Sequence, residues 1–212
     1  MTNAHYHRGD TTLISVRGIE HRFWGVHPWT AAAVIIEDAV DRVREAVRAD
    51  AAAGVGEIGL DRLRMRTVTP VQRQLFEAQL RVAAELRRPV VLHGAKCWGD
   101  VVKMVRSFVP AIPSFLFHGF SRSGGLIPEI VELNGFVSVG KAVLNDHAVN
   151  YRKLVAQIPR DRLLVETDDD AEPEVRDSLL AAIWAKTAEL TGITEAELDA
   201  NADVFLQTLH TP

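Results

Sequence analysis

Histidines and carboxylates close one apolar run after another in this sequence, and that recurrence is the first sign of chemistry. His5-Tyr6-His7 places two imidazoles two residues apart, and in a strand that spacing turns both to one side, where a single metal ion can take both nitrogens. Alone, such a pair near a terminus is weak evidence. His93 ends the run Pro89-Val90-Val91-Leu92, His118 ends Phe115-Leu116-Phe117, and Asp168 follows Leu163-Leu164-Val165-Glu166-Thr167. A single histidine at a core edge is usually just hydrogen-bonded, but several independent runs ending this way are hard to ascribe to coincidence. Glu57 lies in Gly54-Val55-Gly56-Glu57-Ile58-Gly59-Leu60-Asp61, among small residues that permit the close approach a carboxylate shared by two metals needs. Taken by itself, that segment reads more simply as a glycine turn. With His5, His7, His93 and His118, Glu57 and Asp168 complete a set of six ligands, enough for two divalent cations with positions left for water.

Residues so scattered need a scaffold that gathers strand ends. Apolar runs at 3–7, 22–27, 54–60, 89–93, 114–118, 135–139 and 162–167 read as strands, with 12–17 as an additional short one. Amphipathic stretches at 35–50, 70–87, 98–107, 124–134, 147–157, 174–191 and 195–209 read as helices. Strands apolar throughout are covered on both faces, so the pattern is a parallel α/β sheet, either open and doubly wound or closed. Polar residues at nearly every strand end favour a TIM-like (β/α) barrel, whose strands all deliver to one mouth. About seven parallel strands are expected, in a distorted, shortened barrel, because the link from His7 to residue 22 is too short for a helix-bearing crossover. The 212 residues, 47% hydrophobic and 25% charged, suit a single domain over 1–212 with a real core. A net charge of -4 argues against passive coating of DNA, though not against catalysis on a phosphate ester. Cys97, the only cysteine, permits neither an internal disulfide nor a thiolate metal site. Residues 1–30 carry no secretory apolar core, and no run reaches membrane-span length, so the expected compartment is the cytoplasm, with no membrane partner.

Gly25-Val26-His27-Pro28, the Gly56–Asp61 segment, Gln72 to Gln79 with Phe76 between, Pro89 to His93, His118-Gly119-Phe120 and Glu166-Thr167-Asp168 together resemble the TatD family of metal-dependent hydrolases, over about residues 3–170. The resemblance implies a distorted TIM barrel, a divalent metal site and deoxyribonuclease activity. Position by position, His5, His7, Glu57, His93, His118 and Asp168 match that family's ligands, with Glu57 bridging two ions. Three features depart from it. Asn3 stands where an aspartate is common, the stretch from His7 to Gly25 is short, and Asp169-Asp170-Ala171 replaces a small residue and proline.

Two cations so held bring the pKa of a bound water toward neutrality and neutralise a phosphoryl oxygen. Asp168, beside metal and water, is the candidate to accept the water proton; alternatively it only ligates. Glu166 shares the strand parity of Asp168 and is expected one layer deeper, holding the second nitrogen of a ligand histidine. Arg8, Arg62, Arg64, Arg66, Lys96, Arg122 and Lys141 follow strand ends and could draw phosphate to the mouth, or simply be solvated loop charges. If 62–66 is extended, its three arginines point one way. His27, Arg62 and Lys96 are the substrate-contact candidates. The apolar stripe of 70–87, Gln79 included, reads as packing, and Cys97 as a passive helix-start residue. The leading expectation is a two-metal phosphodiesterase acting on DNA ends or single-stranded DNA. An amide or lactone hydrolase on the same barrel, and a non-catalytic metal-binding descendant, are the alternatives. Four imidazoles favour zinc or manganese, while carboxylates and a phosphate substrate allow magnesium.

Overall fold

A computed structural model describes residues 11–17, 19–64, 66–121, 123–168 and 172–210, and the backbone alone of residues 4–8. Strands β1 (Ala4–Arg8), β2 (Thr11–Val16), β3 (Ile19–Trp24), β4 (Gly54–Asp61), β5 (Val90–Ala95), β6 (Phe115–Phe117), β7 (Gly135–Val139) and β8 (Leu163–Val165) form one eight-stranded sheet in chain order. From β3 to β8 all neighbours pair in parallel, whereas β2 is antiparallel to both β1 and β3. β1 therefore runs with the parallel set, and seven strands share one direction. The expected α/β sheet is present, and the short 12–17 run acquires a role in it. A reversed strand makes the return trip that a helix could not make in so few residues.

One strand is displaced from its expected place. The run expected at 22–27 is Ile19–Trp24, because Val16 pairs with Ile19 across a hairpin turned at Arg17 (φ 51), so β3 begins early. It also ends early, leaving His27 beyond the strand as the cap of a 3-10 helix, Pro28–Ala33.

Helices α1 (Ile36–Ala49), α2 (Pro70–Glu85), α3 (Trp98–Val105), α4 (Ile127–Glu132), α5 (Val149–Val155), α6 (Pro173–Thr191) and α7 (Glu195–Gln207) fall where helical periodicity places them. Their ends have local causes. Thr69 caps α2 by accepting from Gln72 N, with Pro70 at the first position, and Thr194 and Glu197 form a reciprocal capping box on α7. The outward residues of the parallel strands, among them Ile58, Leu92, Phe117, Val139 and Val165, pack against buried helix residues such as Val43, Leu80 and Val101.

The inward residues make two layers. The lower is apolar: Val91, Leu116, Phe136 and Leu164 cluster with Ile14 of β2, Phe23 of β3 and Phe205 and Leu206 of α7. Phe205 lies 6.0 Å from Phe23 and 5.8 Å from Phe136, ring to ring, so α7 plugs this end. Contact of Ile14 with residues of β6 and β8 shows that the sheet curls until its first strands meet its last. Two residues further along each strand the layer turns polar: His93, His118, Ser138 and Glu166. Alternation alone sends these side chains inward above the apolar plug.

Candidate metal centre

Glu57 owes its place to a bulge. β4 pairs Val55 with Val90, but then Ile58 with Leu92, so one extra residue is inserted at Gly56–Glu57. Val55, Ile58 and Leu60 all face the helices, which regular alternation forbids for positions 55 and 58. The inserted residue reverses parity and turns Glu57, then Asp61, inward. Two glycines make room: Gly56 (φ +156) and Gly59 (φ +152) sit so close to β5 that an added Cβ would lie 2.7 Å from Val91 Cβ and 2.0 Å from His93 O. The Glu57 amide donates to Thr12 Oγ1 at 3.0 Å, tying the bulge to β2 across the interior.

Around Glu57 Oε1 stand His93 Nδ1 at 2.7 Å, His118 Nε2 at 3.4 Å and His27 Nε2 at 3.8 Å. Asp168 Oδ2 lies 3.7 Å from His118 Nε2, on the side facing solvent. His93 and His118 each face a buried carboxylate at the other ring nitrogen. His118 Nδ1 meets Glu166 Oε1 at 2.9 Å, and His93 Nε2 meets Asp61 Oδ2 at 2.9 Å. Glu166 also accepts from Gly119 N (2.8 Å) and Ser138 Oγ (2.5 Å). Asp61 accepts from Trp29 Nε1 (2.6 Å) and Arg64 N (2.7 Å). Tetrahedral ligation at bonds of about 2.1 Å separates donor atoms by roughly 3.4 Å. The spacings of 3.4 and 3.7 Å therefore suit a divalent ion, and the 2.7 Å contact is a proton-sharing pair that an ion would open.

The charge balance follows from this geometry. Burial opposes charge on both rings, yet hydrogen bonds to Asp61 and Glu57 raise the pKa of His93, and Glu166 with Glu57 raises that of His118 well above the ordinary value. Burial likewise opposes ionisation of Asp61, but the bonds from His93, Trp29 and Arg64 hold its carboxyl far below the usual range. His27 differs: its Nδ1 accepts from Trp29 N at 3.3 Å. When that ring is neutral its Nε2 carries the proton and can donate to a substrate oxygen. Among the described residues, Nε2 also stands close enough to donor atoms of Glu57 and His93 for the three to hold a metal ion.

Sequence reasoning left three of these residues without a role. Asp61 lies four residues after Glu57, the same parity along a strand, which was the available signal. Gln72 and Gln79, two helical turns apart on α2, are both buried. Gln79 exchanges both amide bonds with the Val26 backbone (2.7 and 3.1 Å), and Gln72 accepts from Asp61 N and donates to Pro28 O. The stripe read as packing thus fixes the loop that carries His27 and Trp29. Asp61→Asn, whose single oxygen cannot serve both His93 with Trp29, which share Oδ2, and the Arg64 amide, which uses Oδ1, in the same pose, should weaken metal affinity about 10–100-fold. Titration calorimetry of the metal-free chain measures this, and an unchanged affinity would remove Asp61 as the group that orients His93.

A cleft of about 970 Å³ opens over the centre, lined by His93, His118, Asp168, Arg62, Lys96 and Trp98. Arg62 is paired with Asp100 Oδ2 at 2.8 Å, and Arg73 shares that carboxylate at 3.2 Å. The extended 62–66 segment with three parallel arginines is not formed. Asp61 Oδ1 captures the Arg64 amide and closes a turn, so Arg62 goes to Asp100 while Arg64 lies over Trp29, its Cζ 4.7 Å from the ring. Burial pushes the Cys97 thiol up to about 11, and its Sγ faces Leu60 O and Ala95 O, in keeping with a passive residue. His5 and His7 lie on β1, their backbones opposite Ile14 and Thr12; their side chains, that of Arg8, and Asn3, Arg122 and 169–171 fall outside the described residues. No helix among the described residues is long and apolar enough to cross a membrane.

A family model described as TatD related DNase matches residues 13–209. The uncharacterized metal-dependent hydrolase YabD of Bacillus subtilis is 28% identical over 144 residues, 68% of this chain and 56% of the relative. The 3'-5' ssDNA/RNA exonuclease TatD of Klebsiella pneumoniae is 28% identical over 198 residues, 84% of this chain and 73% of the relative. The chain thus spans little more than half of the first of these. In three dimensions it resembles the TatD homologue YJJV of Escherichia coli K12, with a TM-score of 0.73 and 24% identity over 90% of this chain and 76% of that one.

Proposed function

This chain belongs to the TatD-related DNase family, and we propose that residues 1–212 act as one metal-dependent hydrolase domain cleaving phosphodiester bonds in single-stranded DNA or at DNA ends. The observation that carries this reading is the convergence of His93 and His118 on Glu57 Oε1, each ring backed by its own buried carboxylate. The relative from Klebsiella, named for single-stranded DNA and RNA, supports the choice of substrate. Glu57, His93, His118 and Asp168, together with His5 and His7, are the residues that would hold divalent metal in this reading, two ions if Glu57 serves both. Their donor set of imidazole and carboxylate admits zinc, manganese or magnesium.

When bound, such ions supply Lewis acidity that favours ionisation of water near neutral pH and offsets charge on the phosphoryl group. The chain's own groups do the rest. Asp168, its carboxylate 47% exposed toward the cleft, accepts the proton of the attacking water. His27 donates from Nε2 to a non-bridging phosphoryl oxygen. Glu166 and Asp61 keep the two ligand rings in the tautomer that offers a lone pair toward Glu57. Lys96 draws the backbone into the cleft, and so does Arg62, because Arg62 and Arg73 share a single carboxylate and leave net positive charge.

Metal analysis of the purified protein, followed by EDTA stripping and stepwise return of zinc, manganese or magnesium, tests the reading. Hydrolysis of bis(p-nitrophenyl) phosphate and shortening of an end-labelled single-stranded oligonucleotide should both vanish on stripping and return with metal. A fully metallated protein that leaves both intact while opening a lactone or an amide would overturn it.

A further inference from the structure

We propose that Trp29 and Arg64 form a nucleobase-stacking platform beside the candidate metal centre, taking the base attached next to the phosphate under attack; the proposal rests on the nuclease reading above. Trp29 is 51% exposed, an unusual state for an indole whose N–H is fixed to a buried carboxylate. Its ring centroid lies 4.4 Å from that of His27 and 6.0 Å from that of His93. A base laid on it is therefore one nucleotide's reach from Glu57. Among the described residues, the exposed guanidinium of Arg64 lies over the ring while His27 meets it in a T-shaped contact, and the neighbouring Leu63 is 58% exposed. Aromatic and aliphatic surface interleaved with arginine is the makeup of a surface that takes bases and phosphates together.

Asp61 makes the platform part of the centre. One carboxylate holds His93 Nε2, Trp29 Nε1 and the Arg64 amide, so the indole has a fixed position relative to the candidate ligands. Magnitudes decide what occupies the ring when nucleic acid arrives. An exposed arginine over an indole is worth roughly two- to fivefold in equilibrium, whereas a base stacked on an aromatic ring is worth roughly 5- to 150-fold. The base displaces Arg64, and the released guanidinium reaches a backbone phosphate on the same strand. The exchange is tolerant of sequence because every base has a π face.

The test uses the intact chain, its Trp29→Ala and Trp29→Phe variants, and a fluorescent single-stranded DNA 10-mer, with anisotropy read in EDTA and cleavage read with manganese. A second set of 10-mers carries one abasic nucleotide at successive terminal positions. Trp29→Ala should weaken binding of the intact 10-mer 5- to 150-fold, and Trp29→Phe, which keeps a ring but loses the bond to Asp61, much less. At one abasic position the parent should lose the same factor and Trp29→Ala should lose nothing more. Equal weakening by both variants, or an alanine effect that persists with every abasic 10-mer, would overturn the platform and make Trp29 a prop for Asp61. Cleavage by a parent whose binding ignores Trp29 would sink the platform and spare the nuclease reading. Base-dependent binding with no cleavage under any metal would do the reverse, and absence of binding to every 10-mer overturns the platform.

Discussion

Glu57→Gln is expected to empty the centre. The carboxylate touches both ring nitrogens that face inward, so its neutral replacement should lose bound metal and reduce turnover by more than the 10–100-fold that removal of an outer partner costs. The same variant should change how the metal-free chain responds to pH. His93 and His118 have pKa values raised in the fold, so their protonation stabilises the fold fully below the unfolded value of about 6.5 and is lost as pH rises through the folded values. With Glu57 present those protonated rings have a buried partner. Removing one partner of such a pair costs about 3–5 kcal/mol, so the stability gap between parent and Glu57→Gln should be widest below about pH 6.5 and narrow as pH rises through the raised folded values of the two rings. Metal uptake by the parent must displace these protons and should tighten over the same interval. Metal content by mass spectrometry, histidine titration by NMR and urea unfolding at pH 6 and 8 check these points. Two tightly held ions in the variant, or unaltered titration of both histidines, would remove Glu57 from the shared position.

Asp168→Asn should separate proton transfer from metal holding. Asparagine keeps the size and one carbonyl oxygen but cannot accept the water proton, so kcat should fall about 10²–10⁴-fold. The side chain is half exposed and its nearest candidate ligand, His118, keeps its bond to Glu166, so the fold and at least one ion should remain. Rate and metal content have to be measured together, since loss of metal gives the same fall with no proton transfer involved. Near-parental turnover on every phosphodiester the parent cleaves would assign the proton to another acceptor.

Helix positions were legible because amphipathic periodicity and capping residues act over a few residues: Thr69-Pro70 and Thr194 with Glu197 start α2 and α7 where the pattern says. The upper layer was legible for a similar reason. Alternation along a strand is local, so Val91 facing in obliges His93 to do so, and the pairs Leu116 and His118, and Leu164 and Glu166, repeat the rule. The start of β3 was less so, because its boundary is set by pairing with β2 rather than by its own composition.

What the sequence determined by itself, then, is the class of fold and the identity of most polar groups that meet inside it, since residue type and short-range period carry both. Three things were left to the tertiary structure. The bulge at Gly56–Glu57 reverses the parity of β4, and a parity change depends on how many residues of β5 stand opposite, which β4 alone cannot specify. The turn at 62–64 depends on Asp61 meeting the Arg64 amide, which broke up the expected row of arginines. The junction of Trp29, Asp61 and His93 joins residues on three separate elements. No local pattern encodes it, because its distances exist only once the curled sheet has brought the ends of neighbouring strands together above a shared apolar layer.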